Sequence, residues 1–254
     1  MRRPVLTLAA LTLILLAPAA SGQARPTATS CTPAHGSLTE CRLRFEEQEF
    51  PFLVFLPAAY DGKRSLPALL VLHGGGGNGR QSLAAWQSVA EENGIVLIAP
   101  TLPPGPALEA KVHVLFRDLV TEVERQWKVD PRRIYVFGHS AGGVFTFDAV
   151  TLDSDLFAAA AVHAAAIDPD YDWILAKAER KAPIALYIGD GDQFFSLPRV
   201  RRTRDVLQAG GFTVHYVEIP HHDHDYGAVA GSVNRDAWKF LSGYSLEPRK
   251  PGTK

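Results

Sequence analysis

The sequence predicts an α/β protein with a mostly parallel central sheet and helices on both faces. Short apolar runs typical of buried strands alternate with segments of helical spacing between about residues 45 and 243. This alternation produces βαβ units, and hence parallel strands. Ligands bind beyond the carboxyl ends of such strands. Four glycine-rich or polar segments follow predicted strands and are expected to share one site: 73–78, 138–143, 189–192 and 220–226.

The predicted elements follow from apolar runs, helical spacing and glycine or proline at their ends. The apolar run that ends at Leu72 and the run that ends at Ala99 have the pattern of strands covered on both faces. Strands are predicted at 41–45, 50–56, 67–72, 95–99, 133–137, 157–162, 183–188 and 212–219. Helices are predicted at 82–93, 110–127, 144–152, 171–180, 197–209 and 228–241. No second domain, repeat or lid is indicated.

The composition is that of an ordinary globular domain. The 254 residues are 46% hydrophobic and 21% charged, with a formal net charge of −1. A chain of this length buries about 70% or more of its surface. The small net charge gives no reason to expect nucleic acid or an anionic membrane as a partner.

Residues 1–24 are predicted to be a secretory signal peptide. Two arginines precede an apolar run over 5–16, and small residues follow it. The run is shorter than the ~20 residues that a spanning helix needs. Cleavage is expected between about Ala20 and Ala24, and an uncleaved anchor is the alternative. The mature protein is therefore expected to be secreted or periplasmic, with no membrane contact.

The remaining ends of the chain have less regular patterns. Residues 25–44 are expected to form a lead-in, and 244–254 a flexible tail. The chain has two cysteines, Cys31 and Cys41, close in sequence around a turn. Because export permits disulfides, a Cys31–Cys41 bridge is favoured over a lipid anchor on Cys31.

Ser140 is the candidate nucleophile. It lies in Gly138-His-Ser-Ala-Gly142, between a predicted strand and a predicted helix, which is the pattern of a nucleophile elbow. Glycines at both ends allow the strand and helix to cross closely while the serine hydroxyl projects from the turn. The pentapeptide alone is a weak signal, so its placement and its partners carry the hypothesis.

The glycine run at 74–77 is a candidate oxyanion loop. It follows a central strand and exposes backbone N–H groups, which the N–H of Ala141 would join. A phosphate-binding loop is the rival, but the sequence lacks the lysine of that motif. A plain flexible turn is the third interpretation. His73 is expected to be a structural hydrogen-bonding residue.

A serine nucleophile needs a base and an orienting carboxylate, in the chain order Ser, Asp or Glu, His. Asp192 is preferred as the acid and Asp190 is the alternative, since both follow the strand at 183–188. His224 is preferred as the base, followed by His222 and then by His221. The histidine cluster could also hold zinc, but one short loop rarely supplies enough ligands. No metal is therefore expected.

These motifs resemble those of α/β-hydrolases, in the esterase group of polyhydroxyalkanoate depolymerase-like and feruloyl esterase-like enzymes and the related S-formylglutathione hydrolases. The similarity covers about residues 45–242 and rests on the motifs at 72–78, 130–143, 189–192 and 223–226. The resemblance implies an α/β-hydrolase catalytic domain at 45–243. It also implies Ser140, Asp192 and His224 as the catalytic triad, with oxyanion donors near Gly75 and at Ala141.

The function expected from these features is that of a secreted serine carboxylesterase. It would act on small soluble esters with short-chain, feruloyl-type or hydroxyalkanoate-type acyl groups and would need no cofactor. A serine peptidase of the same fold is one alternative, and an inactive binding protein on a hydrolase scaffold is another. Phe194, Phe195 and Trp86 are candidate pocket walls. The sequence does not predict the oligomeric state.

Overall fold

A computed structural model describes residues 29–33, 36–103 and 111–248 of the protein. The predicted signal peptide therefore lies outside the described residues, as do part of the loop after Pro100 and the last six residues of the chain. No helix in the described ranges is long and apolar enough to cross a membrane.

In the part of the chain that the structure describes, nine strands form one sheet, and the central strands are the apolar runs seen in the sequence. In chain order they are β1 (Thr29–Pro33), β2 (Leu38–Phe45), β3 (Gln48–Phe55), β4 (Leu66–Leu72), β5 (Val96–Pro100), β6 (Val129–His139), β7 (Ala159–His163), β8 (Ile184–Gly189) and β9 (Val214–Ile219). All seven residues of β4 and all five of β5 are buried, as expected for strands covered on both faces.

The sheet has the spatial order β1-β2-β3-β5-β4-β6-β7-β8-β9. In the run β5-β4-β6-β7-β8-β9, every pair of neighbouring strands is parallel. The first three strands pair antiparallel and extend one edge, with β3 joined to β5. The mostly parallel sheet predicted from the sequence is confirmed. Since β4, β6, β7 and β8 are parallel neighbours, their carboxyl ends lie side by side on the same side of the molecule.

Within the described residues, five α-helices cover the two faces of the sheet. They are α1 (Gly79–Asn93), α2 (Val112–Gln126), α3 (Ala141–Leu152), α4 (Leu197–Ala209) and α5 (Tyr226–Leu241). Helices α1 and α5 share one apolar core with the sheet, and α2, α3 and α4 share the other. The alternation of β4 shows why two cores form: Leu70 belongs to one, and its neighbour Leu69 to the other.

The N-terminal segment differs from the expected lead-in. All of β1 and residues 38–40 of β2 lie in the expected lead-in, whereas the rest of β2 is the strand predicted at 41–45. Cys31 of β1 and Cys41 of β2 are directly paired across the two strands. The predicted disulfide between them is present, with a Cα–Cα distance of 4.1 Å. Edge pairing and the cross-link thus give strand structure to residues whose composition indicated a loop.

Two other segments differ from expectation. The helix predicted at 171–180 is a 3₁₀ helix over Pro169–Lys177, which begins after an Asp168 cap. The first residues of the expected tail are held on the body of the protein. There the Leu246 backbone N–H donates to the Arg132 carbonyl, and the Tyr135 hydroxyl donates to the Tyr244 carbonyl.

Candidate active site

Ser140 lies on a sharp turn between β6 and α3. Its φ of 54° and ψ of −119° lie in a region that non-glycine residues rarely adopt. A Cβ atom at Gly138 would lie 2.1 Å from the Gly142 carbonyl oxygen, and one at Gly142 would lie 2.6 Å from the Leu72 carbonyl oxygen. Both glycines are therefore required by close backbone approach, and they permit the strained turn that presents Ser140.

His224 joins Ser140 to Asp192. Its Nδ1 is 2.7 Å from Asp192 Oδ2, and its Nε2 is 2.9 Å from Ser140 Oγ. An ionised carboxylate only accepts hydrogen bonds, so Nδ1 carries the proton and Nε2 is free to accept the serine proton. The Asp192 side chain has no exposed surface and that of His224 is 16% exposed. The geometry is that of a nucleophile, a base and an orienting acid.

The loop after β8 holds Asp192 through its second oxygen. Asp192 Oδ1 accepts hydrogen bonds from the backbone N–H groups of Phe194 and Phe195, each at 2.8 Å. The Gly191 N–H donates to the His222 carbonyl, which joins this loop to the loop that carries His224. Asp190, the alternative acid, is exposed at the start of the same loop. The structure thus brings Asp192, and not Asp190, to the histidine.

The other two histidines of the 220–226 segment do not approach Ser140 in this way. His222 is buried, and its ring centroid is 5.9 Å from that of His163. His221 is exposed, with a φ of 54°. Of the three candidate bases in this segment, His224 is the one that the structure joins by hydrogen bonds to both Ser140 and Asp192.

The glycine-rich loop after β4 lies beside Ser140 and is fixed by His73. The Leu102 backbone N–H donates to His73 Nε2 at 2.9 Å, so Nδ1 carries the proton and donates to the Gly74 carbonyl at 2.7 Å. A Cβ atom at Gly74 would lie 3.3 Å from Ser140 Cβ, whereas one at Gly75 would meet no atom within 4 Å. Gly74 is thus the glycine packed against the nucleophile, and Gly75 faces open space.

A pocket of about 300 Å³ adjoins this loop. Its walls come from the ends of β4 and β6, the glycine loop and the first turns of α1 and α5. They are Leu72, His73, Gly74, Gly75, Gly76, Gly77, Gln81, Ser82, Trp86, Phe137, His139 and Tyr226. We call this cavity the glycine-loop pocket. The lining contains no lysine, arginine, aspartate or glutamate among the described residues, so the pocket suits a small uncharged group.

The expected aromatic walls occupy different positions. Trp86 is fully buried but lines the glycine-loop pocket, where its ring packs edge-on against Phe137. Phe195 stacks on His224 at 6.1 Å between centroids. Phe194 is 63% exposed, and its ring centroid is 4.7 Å from that of His224. Two of the three aromatic rings therefore contact His224.

Two further histidines, which were not predicted from the sequence to belong to the site, lie next to Ser140 and His224. His139 and His163 end the neighbouring strands β6 and β7 and are paired in register. Their Nδ1 atoms are 3.0 Å apart, so one donates a hydrogen bond to the other. The His139 ring also stacks on Tyr226 and lies 4.8 Å from the His224 ring. Their positions at the ends of adjacent strands were the available signal.

Burial keeps His139 and His163 neutral. Desolvation lowers the pKa of His139 to about 4, with a smaller contribution from nearby His224. Desolvation also lowers the pKa of His163 to about 2, and neighbouring His139 adds to the effect. Uncharged rings beside His224 leave it as the group positioned to take a proton from Ser140.

These low pKa values predict that the fold loses stability in acid. The unfolded chain binds a proton on each of these histidines below about pH 6.5, whereas the folded protein does not, so stability falls as the pH drops below that value. Each residue is expected to remove about 2 kcal/mol from the free energy of unfolding between pH 8 and pH 5. Urea unfolding at both pH values measures the loss.

His163→Asn is the variant that tests this prediction. It should reduce the loss of stability between pH 8 and pH 5 by about 2 kcal/mol, whatever its effect on stability at pH 8. His221→Asn is the matched control, since His221 is exposed and asparagine tolerates a positive φ. An unchanged pH dependence in His163→Asn would contradict the account of the buried histidines.

The described residues contain no group of three or more histidine, cysteine, aspartate and glutamate side chains arranged to hold a metal ion.

The arrangement of Ser140, His224 and Asp192 at the carboxyl ends of the strands of a mostly parallel sheet is that of an α/β-hydrolase.

Sequence relatives agree with this class. A model of the prolyl oligopeptidase family matches residues 116–178, which include Ser140. A curated relative, the bifunctional acetylxylan esterase/xylanase of Neocallimastix patriciarum, is 27% identical over 140 residues, covering 53% of this chain and 20% of that protein. The chain thus spans about a fifth of the length of this relative.

Solved structures share the fold. An S-formylglutathione hydrolase from Staphylococcus aureus superposes with a TM-score of 0.68 at 14% identity, covering 86% of this chain and 98% of the other. A thermostable esterase superposes with a TM-score of 0.66 at 20% identity, covering 82% of this chain and 63% of the other. The chain therefore has the α/β-hydrolase fold, which it shares with these esterases.

Proposed function

We propose that the protein is an exported serine carboxylesterase that hydrolyses small soluble esters through an acyl-enzyme. The observation that supports this most strongly is the continuous hydrogen-bonded path from Ser140 through His224 to Asp192, at 2.9 and 2.7 Å. The predicted signal peptide and the Cys31–Cys41 disulfide support export, because disulfides persist in oxidising compartments.

In the first half-reaction, Ser140 Oγ attacks the ester carbonyl carbon while His224 Nε2 takes its proton. Asp192 holds the imidazole in the required tautomer and stabilises the imidazolium that forms. The carbonyl oxygen becomes an oxyanion, which backbone N–H groups at Ala141 and Gly75 would stabilise. His224 then gives its proton to the departing alkoxide oxygen as the C–O bond breaks.

In the second half-reaction, water replaces the alcohol. His224 Nε2 takes a proton from the water as its oxygen attacks the acyl carbon, and it returns the proton to Ser140 Oγ as the acid leaves. Ser140, His224, Asp192 and the backbone N–H groups supply the nucleophile, the proton transfers and the oxyanion stabilisation, so the proposed cycle calls for no organic cofactor and no metal.

The glycine-loop pocket supports a small, uncharged acyl group. Its volume of about 300 Å³ lies at the lower end of the range for small-molecule sites. Short acyl chains fill such a pocket, and feruloyl-type or hydroxyalkanoate-type acyl groups are the larger candidates.

A serine peptidase is the second candidate, because the prolyl oligopeptidase family model matches the segment around Ser140. Recognition of a charged peptide terminus requires a charged partner in the site. The described lining of the glycine-loop pocket offers no acidic or basic side chain besides histidine. This favours the ester over the peptide.

The test is to compare ester and amide substrates with the purified protein. We expect turnover of p-nitrophenyl acetate and butyrate, with a decline toward octanoate as the acyl chain exceeds the pocket. Aminoacyl- and dipeptidyl-p-nitroanilides should show no turnover above background. Faster hydrolysis of an anilide than of every ester in the series would replace the esterase proposal with the peptidase one.

A further inference from the structure

Phe194 is an exposed aromatic side chain held against the catalytic centre. It is 63% exposed, and its ring centroid is 4.7 Å from that of His224 at an interplanar angle of 56°. Isolated exposed apolar residues are common on protein surfaces and do not by themselves indicate a function. This one is different because its backbone N–H donates to Asp192 Oδ1, so the loop that fixes the acid also fixes Phe194 beside the base.

His224 also lies next to a residue of the glycine-loop pocket. The ring centroid of His139 is 4.8 Å from that of His224, and His139 belongs to the lining of that pocket. The catalytic centre therefore borders two different surfaces: the small cavity lined by the glycine loop, and the solvent-exposed aromatic ring of Phe194.

The chemistry assigns the two parts of an ester to different places. As Ser140 Oγ bonds to the acyl carbon, the C–O bond to the alcohol breaks, and the serine proton passes through His224 Nε2 to the departing oxygen. The alcohol must therefore leave beside His224, while the acyl group stays on Ser140, next to the glycine loop. The exposed ring of Phe194 lies against His224.

We infer that Phe194 determines alcohol specificity by contacting the leaving group, and that it favours esters whose alcohol carries an aromatic or other flat apolar group. The acyl group occupies the glycine-loop pocket. This inference rests on the proposed esterase function and adds a selectivity for the alcohol to it. Stacking against an aromatic face is the physical source of the preference.

The test compares two acetate esters, so that the acyl group is constant. Benzyl acetate carries a ring on the alcohol, and methyl acetate does not. Phe194→Ala should lower kcat/KM for benzyl acetate roughly threefold to tenfold more than for methyl acetate, the size expected for a lost aromatic contact. Phe194→Tyr should retain the preference of the wild type, because it keeps the ring.

The comparison of the two substrates separates contact with the alcohol from an effect through His224. A ring that only shields or orients His224 would influence both acetates equally, because the base serves both. Phe240→Ala is the matched control: Phe240 also stacks on a histidine, His215, but near the C-terminal end of α5. It should leave the ratio between the two acetates at the wild-type value.

A second series varies the acyl group of the benzyl esters from acetate to butyrate. Phe194→Ala should leave the acetate-to-butyrate ratio within about twofold of wild type. Equal losses on benzyl and methyl acetate would overturn the inference, as would a change confined to the acyl series. If the wild type hydrolyses none of these esters, the proposed function itself fails. If the wild type is active but the alcohol preference survives in Phe194→Ala, only the present inference fails.

Discussion

Ser140→Ala is expected to lower kcat for a short-chain ester by roughly 10⁴- to 10⁶-fold while the protein stays folded. The substitution removes the oxygen that would form the acyl-enzyme, and alanine is small enough to fit the same turn. Ester turnover and the far-ultraviolet circular dichroism spectrum should be measured on the same preparation. The effect is large because the hydroxyl that is hydrogen-bonded to His224 Nε2 is lost with the substitution.

Ser88→Ala is the matched control for this variant. Ser88 is an exposed serine on α1 whose hydroxyl donates to Glu92. Its replacement should leave ester turnover within about twofold of wild type, as for most surface substitutions. Retained turnover in Ser140→Ala, after removal of any contaminating esterase, would remove Ser140 from the mechanism.

Asp192→Asn should lower kcat by about 10⁴-fold with little change in structure. Oδ1 of Asp192 accepts the backbone N–H groups of Phe194 and Phe195, so the asparagine oxygen will take that place. The amide nitrogen must then face His224 Nδ1, where the aspartate oxygen accepted a hydrogen bond. His224 is driven to the tautomer with a protonated Nε2, which cannot accept the proton of Ser140.

Asp190→Asn is the control for the choice between the two acids. Asp190 is two residues away, exposed, and differs from Asp192 in its contacts rather than in its chemistry. It should retain near wild-type kcat. The reverse result, with Asp190→Asn inactive and Asp192→Asn active, would show that the geometry around His224 does not identify the acid.

The proximity of Ser140, Asp192 and His224 could be predicted because each lies in a short loop after a strand of the parallel part of the sheet. Gly138 and Gly142 marked the elbow, and the glycines around Asp190 marked the acid loop. The sequence did not decide which aspartate and which histidine of these loops join Ser140 in one hydrogen-bonded path. That choice depends on loop geometry, such as the bond from Gly191 N–H to the His222 carbonyl, which no local pattern encodes.

The first strand, β1, could not be predicted in the same way. Residues 29–33 contain Thr, Ser and Pro, and they have no alternating apolar pattern. They form β1 because they pair with β2 and are cross-linked to it. The secondary structure of such a segment is determined by its pairing with a neighbouring strand, because intrinsic strand preference is weak and depends on context.

The pair formed by His139 and His163 illustrates a second limit. The two residues are 24 positions apart in sequence, and they meet because β6 and β7 are neighbours with these residues in register. Strand order is a property of the whole sheet, so neither histidine could be assigned a partner from its own surroundings. The sequence predicts Phe194 as a pocket wall. Its contact with His224 depends on the conformation of the loop that holds Asp192, which the sequence does not predict.

The most direct test of the account is covalent labelling by a fluorophosphonate, followed by mass spectrometry. This reagent reacts with a serine oxygen that a neighbouring base has activated. If Ser140 is the activated nucleophile, we expect one adduct per chain, located on Ser140, together with loss of ester turnover. Ser140→Ala should not be labelled. An unlabelled wild type, or an adduct on a different serine, would contradict the proposal that Ser140, His224 and Asp192 act together as the catalytic triad.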